Sequence, residues 1–190
     1  SQLFKMHDKK FSREVFNIPQ DKVVLLFIAT SLENDRKGLI YLYKSFELLQ
    51  NPDILIISAG NNGVNFRKDE NIWELGRLYD EQLMSILYSA ADAFIIPSLM
   101  DNLPNTALES ILCGTPVIAF PVGGLNDIIQ NGQNGFLTDE ISVISLTKVI
   151  NKFVTQKKFF NREQIRIQAI NKFDISVQAK AYIELYRNIL

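Results

Sequence analysis

Apolar positions follow two rhythms along this chain. Continuous β-branched and aliphatic runs at Val23–Ala29 and Ile54–Ser58 predict strands buried on both faces, as in a parallel sheet. Shorter runs at Asn71–Leu75, Ala93–Pro97 and Val117–Phe120 predict further strands. Between them the spacing turns helical: Leu39, Leu42, Tyr43, Phe46 and Leu49 share one face, and Leu83, Ile86, Leu87 and Ala90 another, behind Asp80 as cap. Pro104 opens a helix with Leu108, Ile111 and Leu112 inward, stopped by Gly114 and Pro116. Ser12 reads as the cap of a short helix closed by Asn17, Ile18 and Pro19, with a connecting tail before it. From Ser142 onward the pattern is helical, with Ile144, Val149, Ile150 and Phe153 in one segment and Tyr182, Leu185, Tyr186 and Ile189 in the last. Strands alternating with helices predict an α/β, doubly wound parallel sheet with helices on both faces. The expected divisions are a linker with a short helix over 1–20, the main domain over 21–175 and a C-terminal helix over 176–190. Ligands of such sheets bind outside the carboxyl ends of the strands, so the loops after Ala29, Gly60, Gly76, Ser98 and Phe120 are the candidate sites.

Composition narrows the chemistry. With 190 residues, 47% apolar and 22% charged, the chain can bury one sizeable core. A formal net charge of -1 gives no broad positive field for nucleic acid, so any phosphate site must be local. No apolar run approaches the roughly 18–20 residues that span a bilayer, and no basic-then-apolar leader is expected. Cys113 and His7 are single in the sequence, which excludes an internal disulfide and a thiolate or imidazole metal cluster. A cytoplasmic setting is expected.

The segment over 95–127 holds the candidate chemistry. With Pro104 at the first helical position, the amides of Asn105 and Thr106 have no partner inside the helix. Such an end binds anions, its dipole contributing about 0.3–1 kcal/mol. Glu109 follows Asn105 at i+4, on the same face at roughly 5–6 Å between Cβ atoms, where a carboxylate accepts from two vicinal hydroxyls. Asp101 lies before the helix, placed to hold a second polyol. Phosphate on the helix end and a diol one turn along suit a nucleoside diphosphate linked to a hexose, with the base toward the Gly76 loop. Taken alone, Asp101 and Glu109 also read as a solvated loop acid and a surface helix acid. Cys113 reads as a packing residue.

Further blocks sit around these acids: Arg36-Lys37-Gly38, Gly76-Arg77-Leu78, Pro97-Ser98, Cys113-Gly114-Thr115-Pro116-Val117, Gly123-Gly124 and Asn134-Gly135-Phe136-Leu137. In this order, with Asp101 and Glu109 separated by seven residues, the chain resembles the C-terminal domain of retaining GT-B glycosyltransferases of family GT4. The resemblance implies a Rossmann-like nucleotide-sugar-binding domain. It implies that Glu109 holds the ribose, that Asp101 contacts donor-sugar hydroxyls beside Asn102, and that Lys37 pairs with the diphosphate. Asn105 and Thr106 would add main-chain donors, and Gly76 and Leu78 would meet the base through the backbone. It implies a UDP- or GDP-linked sugar as substrate, no metal, and retention of the anomeric configuration.

Two positions depart from the family pattern. The usual glutamate is Asp101, shorter by one methylene, and the arginine often found six positions before the lysine is Ser31, for which Arg36 is the candidate substitute. The acceptor-binding N-terminal domain has no counterpart in these residues, and His7 matches none of its motifs. Beginning at Ser1 rather than at methionine, the chain is expected to be an excised piece that binds donor weakly and transfers sugar poorly alone. Association of the whole protein with the inner face of a membrane would be encoded in that missing part. Two other functions stay open: half of a sugar-nucleotide epimerase, against which a single histidine speaks, and a non-catalytic nucleotide-sugar-binding or interaction module.

Overall fold

The computed structural model describes residues 2–61 and 69–189. Helix α1 (Lys9–Val15) leads into strand β1 (Val23–Ser31), a 3-10 turn (Asp35–Lys37), α2 (Leu39–Leu49), β2 (Ile54–Asn61) and β3 (Ile72–Glu74). Then follow α3 (Glu81–Ala90), β4 (Ala93–Ile96), α4 (Asn105–Leu112), β5 (Val117–Ala119), α5 (Leu125–Ile128) and β6 (Gly135–Leu137). The chain continues with α6 (Val143–Gln156), a 3-10 turn (Lys157–Phe159), α7 (Arg162–Phe173) and α8 (Ile175–Ile189).

The strands form one six-stranded sheet in the order β3-β2-β1-β4-β5-β6, every pairing parallel. Because side chains alternate along a strand, each long run serves two cores. Val24 and Leu26 point into one layer with Leu55, Ile57, Phe94 and Ile96, against Leu87, Tyr88 and Ile111 of the helices. Val23, Leu25 and Phe27 point into the other with Ile54, Ile56 and Ile95, against Leu42, Leu146, Val149 and Phe153. Full burial of each such aliphatic or aromatic side chain contributes about 1.5–3 kcal/mol. The doubly wound Rossmann-like architecture expected from the alternation is therefore the one observed. Strand order reverses between β1 and β4, so the loops leaving these neighbours diverge to opposite faces and open a crevice.

Several boundaries differ from expectation, each for a local reason. β4 ends at Ile96, before Pro97, which has no amide to continue the ladder. β5 ends at Ala119, and β3 is three residues long, whereas β1 and β2 run on to Ser31 and Asn61. Asp8, not Ser12, caps α1 by accepting from the Phe11 amide; Ser12 is buried inside the helix and donates its hydroxyl to the Asp8 carbonyl. The residues before α1 are tied to α3, the Lys5 and His7 amides donating to the hydroxyls of Ser85 and Ser89. This turns the α3 face: Ser85 and Ser89 are buried and Leu83 is exposed. Ile144 is likewise exposed, Leu146, Val149, Ile150 and Phe153 forming the inner face of α6. On α8, Tyr182, Leu185 and Tyr186 are all more than half exposed, and the side chain of Ile189 lies outside the described residues. Among the described residues no helix is long and apolar enough to cross a membrane.

Candidate functional site

Three loops at the carboxyl edge of the sheet are locked to one another through their backbones. The turn after β1 lies on the loop after β4: the Leu99 amide donates to the Arg36 carbonyl at 2.8 Å, and a Cβ on Gly38 would sit 1.8 Å from the Pro97 carbonyl oxygen. Gly38 also has φ +71°, so glycine is required there on two counts. The loop after β4 lies in turn on the one after β5, where the Gly124 amide donates to the Asn102 carbonyl at 2.6 Å. A Cβ on Gly123 would meet the Asp101 carbonyl oxygen at 1.9 Å. The Gly123-Gly124 pair thus serves close approach of one loop to another.

This packing brings Lys37 and Asp101 together, 64 positions apart in sequence, with Nζ 2.7 Å from Oδ2. Asp101 is 14% exposed and Lys37 36%, so both sit at the rim of the crevice. Arg36 is exposed, in the 3-10 turn, and its amide donates to the Asn34 side chain, while Ser31 closes β1 beside Asn61. Asn102 is exposed.

Pro104 is the N-cap of α4, one position outside the helix rather than its first residue. The consequence for the amides is the same. Proline offers no side-chain acceptor, and the Ala107 amide is the first to turn back, onto the Pro104 carbonyl at 3.0 Å. The amides of Asn105 and Thr106 find no acceptor among the described residues. Ala107, Ser110, Ile111 and Leu112 bury the inner face of α4, which leaves Asn105 exposed and Glu109 half-buried.

Glu109 Oε2 accepts from the Tyr88 hydroxyl at 2.9 Å. Burial raises the Glu109 pKa above the ordinary carboxylate range; the Tyr88 bond works against that rise, and the nearby charge of Glu81 adds to it. Tyr88 was not anticipated as part of the site. It is not among the periodic positions Leu83, Ile86, Leu87 and Ala90; once the fold buries it, its phenol needs an acceptor. Gly76 adopts φ +70° and its carbonyl accepts from the Gly60 amide, while Leu78 is partly buried against the core. The loop after Gly60 falls on 62–68, outside the described residues. Burial pushes the Cys113 thiol up to about 11, keeping it protonated and inert.

Among the described residues no group of three His, Cys, Asp or Glu side chains is placed to hold a metal ion. A cavity of about 580 Å³ opens at the opposite, amino edge of the sheet, between Phe46, Gln50, Pro52 and Asn71, and shares no residue with the loops just described. The carboxyl edge instead carries two amides without a partner among the described residues, a half-buried carboxylate one turn along the same helix, and a cation–carboxylate pair on the loop that leads into it.

The family model for glycosyl transferases group 1 matches residues 8–172. Glycogen synthase of Thermodesulfovibrio yellowstonii is 34% identical over 116 residues, which are 59% of this chain and 23% of that protein. Sucrose-phosphate synthase from Thermosynechococcus elongatus shares the fold with a TM-score of 0.83 at 22% identity, over 99% of this chain and 50% of that one. Anabaena Alr3699/HepE, solved in complex with UDP-glucose, does so with a TM-score of 0.78 at 22% identity, over 98% of this chain and 55% of that one. This chain therefore spans about half or less of the length of these proteins.

Proposed function

Because the chain belongs to the glycosyl transferases group 1 family, a group with the GT-B fold, we propose that it is the donor-binding, C-terminal half of a retaining glycosyltransferase of the GT4 type. It would act with an acceptor-binding domain on a nucleoside diphosphate sugar and a glycan or lipid-linked acceptor. The observation that carries this is the Lys37–Asp101 pair at the reversal of strand order, on the loop before a helix whose first amides, Asn105 and Thr106, have no partner among the described residues and whose next turn carries Glu109. The amides and Lys37 meet the diphosphate, as helix ends and lysines meet phosphate elsewhere. Glu109 accepts from the ribose diol, Asp101 from hydroxyls of the donor sugar, and Gly76 and Leu78 border the base. Arg36, exposed beside Lys37, adds positive charge at the same turn. The UDP-glucose complex of Alr3699/HepE, on the same fold, supports a nucleotide sugar as ligand.

In transfer, the bond between the anomeric carbon and the diphosphate oxygen breaks and one to an acceptor hydroxyl oxygen forms, the hydroxyl proton leaving to diphosphate or solvent. Negative charge grows on the diphosphate, so donors already aimed at it stabilise the transition state more than the ground state. No step in this scheme requires a metal from the protein. This half alone holds only one substrate, so it should bind donor weakly and transfer sugar poorly.

Titration calorimetry of the chain with UDP and with GDP tests the reading. One of the two should bind in the micromolar to millimolar range, and Glu109→Ala should weaken it by about tenfold or more, the equivalent of one hydrogen bond to a charged group. No binding of either nucleotide at millimolar concentration would remove the donor-binding role.

A further inference from the structure

Tyr88 is fully buried, and its ring is held on two sides: Phe94 meets it edge-on at 5.2 Å and 89°, and Phe4 at 6.1 Å and 70°. Its carbonyl accepts from the Thr115 hydroxyl at 2.7 Å. Packing alone would be satisfied by phenylalanine. A buried hydroxyl without a partner loses its hydration uncompensated, and the acceptor for this one is Glu109 Oε2, at 2.9 Å. The carboxylate in turn sits on a side chain with several rotatable bonds, and ordering such a chain costs conformational entropy. An acceptor that must meet two hydroxyls of a ribose is useful only if that ordering is done before the ligand arrives.

We propose that Tyr88 is a positioning residue for the ribose: clamped between Phe4 and Phe94, its hydroxyl fixes Oε2 of Glu109 and leaves Oε1 as the acceptor for the diol. This rests on the ribose contact of Glu109 proposed above. Tyr88 does not touch the ligand; it acts through the carboxylate. Its removal therefore lowers discrimination for the ribose hydroxyls, not affinity for the diphosphate.

The test compares UDP with 2′,3′-dideoxy-UDP, and GDP with its dideoxy counterpart, by calorimetry on the unaltered chain and on Tyr88→Phe and Phe4→Leu. The unaltered chain should prefer the ribose form by about 10- to 100-fold. Tyr88→Phe should cut that preference about fivefold while binding the dideoxy form as before, and Phe4→Leu, which loosens one side of the clamp but keeps the hydroxyl, should lower the melting temperature and cut the preference by less than Tyr88→Phe does. Unchanged preference in Tyr88→Phe, with Glu109→Ala abolishing it, overturns the positioning role and leaves the donor site standing. Absence of any preference in the unaltered chain overturns both. If Tyr88→Phe does not fold, proton NMR of the unaltered chain replaces it. A slowly exchanging Tyr88 hydroxyl resonance should shift with UDP and not with the dideoxy form, and equal shifts with both overturn the proposal.

Discussion

Lys37 is asked to face two anions. Its ammonium lies 2.7 Å from Asp101 in the structure, and the same cation is the one proposed to meet the diphosphate. A pair this close to solvent contributes about 1 kcal/mol or less, so a diphosphate carrying more than one charge competes for the lysine on favourable terms. Substitution should separate the two partners. Lys37→Ala should weaken UDP or GDP by about tenfold or more and leave the bare nucleoside unaffected, since only the phosphate contact is lost. Asp101→Asn removes the competing charge. It should bind the nucleoside diphosphate as well as the parent or up to about fivefold tighter, while losing whatever affinity the attached hexose adds. Calorimetry with nucleoside, nucleoside diphosphate and nucleotide sugar gives all three numbers. Weaker diphosphate binding in Asp101→Asn would mean that the carboxylate orients Lys37 rather than competing for it.

At the scale of elements, the site is built by turns laid on turns, and Gly38 is the tightest of these contacts. Alanine there meets two penalties at once: the left-handed backbone, about 1–2 kcal/mol, and a collision with the Pro97 carbonyl that only movement of the turn relieves. Gly132 separates the two, because it has φ +79° and open space around it. Gly132→Ala should cost about 1–2 kcal/mol in urea unfolding with nucleotide binding kept. Gly38→Ala should cost more and also lose binding as Lys37 swings away from the crevice. Strands β1 to β5, the seams of α2 and α4 and the later part of the α6 seam were legible from period and run length, because their side chains are buried by the sheet itself. The acids and the lysine were legible from their neighbours in sequence. What escaped depends on partners distant in the chain. The three residues of β6 and the four of α5 are too short to show a period. The α7 segment has polar residues nearly all round, burying only Ile165 and Ala169. The cap of α1 is Asp8 because the arm before it is pinned on Ser85 and Ser89. Tyr88 lies outside the periodic set read for α3, and only the fold sets it against Glu109.

Across the whole molecule, binding chemistry and a buried ionic brace sit at opposite edges of the sheet. Near the amino ends of β1 and β4, Asp92 accepts from Arg13 at 2.8 Å, from Lys9, and from the Val24 amide at 2.8 Å. Arg13 is itself buried and donates to the carbonyls of Ala90, Pro19 and Gln20, so one guanidinium joins α1, the end of α3 and the approach to β1. Burial pulls the Asp92 pKa upward, but the positive charge and hydrogen bond of Lys9, the Val24 amide and the charge of Arg13 together outweigh it, and the net shift is downward. The sign follows. A carboxylate with a depressed folded pKa contributes stability that is fully present above its unfolded value, about 3.9, and is lost as pH falls through the folded value. Asp92→Asn leaves the cations without their counter-charge, so it should destabilise the chain by about 3–5 kcal/mol at neutral pH. As pH falls below about 4, its urea midpoint should also fall less steeply than that of the parent. The residual folded protein should bind nucleotide with unchanged affinity, because none of Asp92, Arg13 and Lys9 belongs to the loops that hold Lys37 and Asp101 or to α4, which holds Glu109. An equal acid slope in both proteins would show that other carboxylates govern acid unfolding. A loss of nucleotide affinity in Asp92→Asn at saturating folded fraction would show that the two edges of the sheet are coupled.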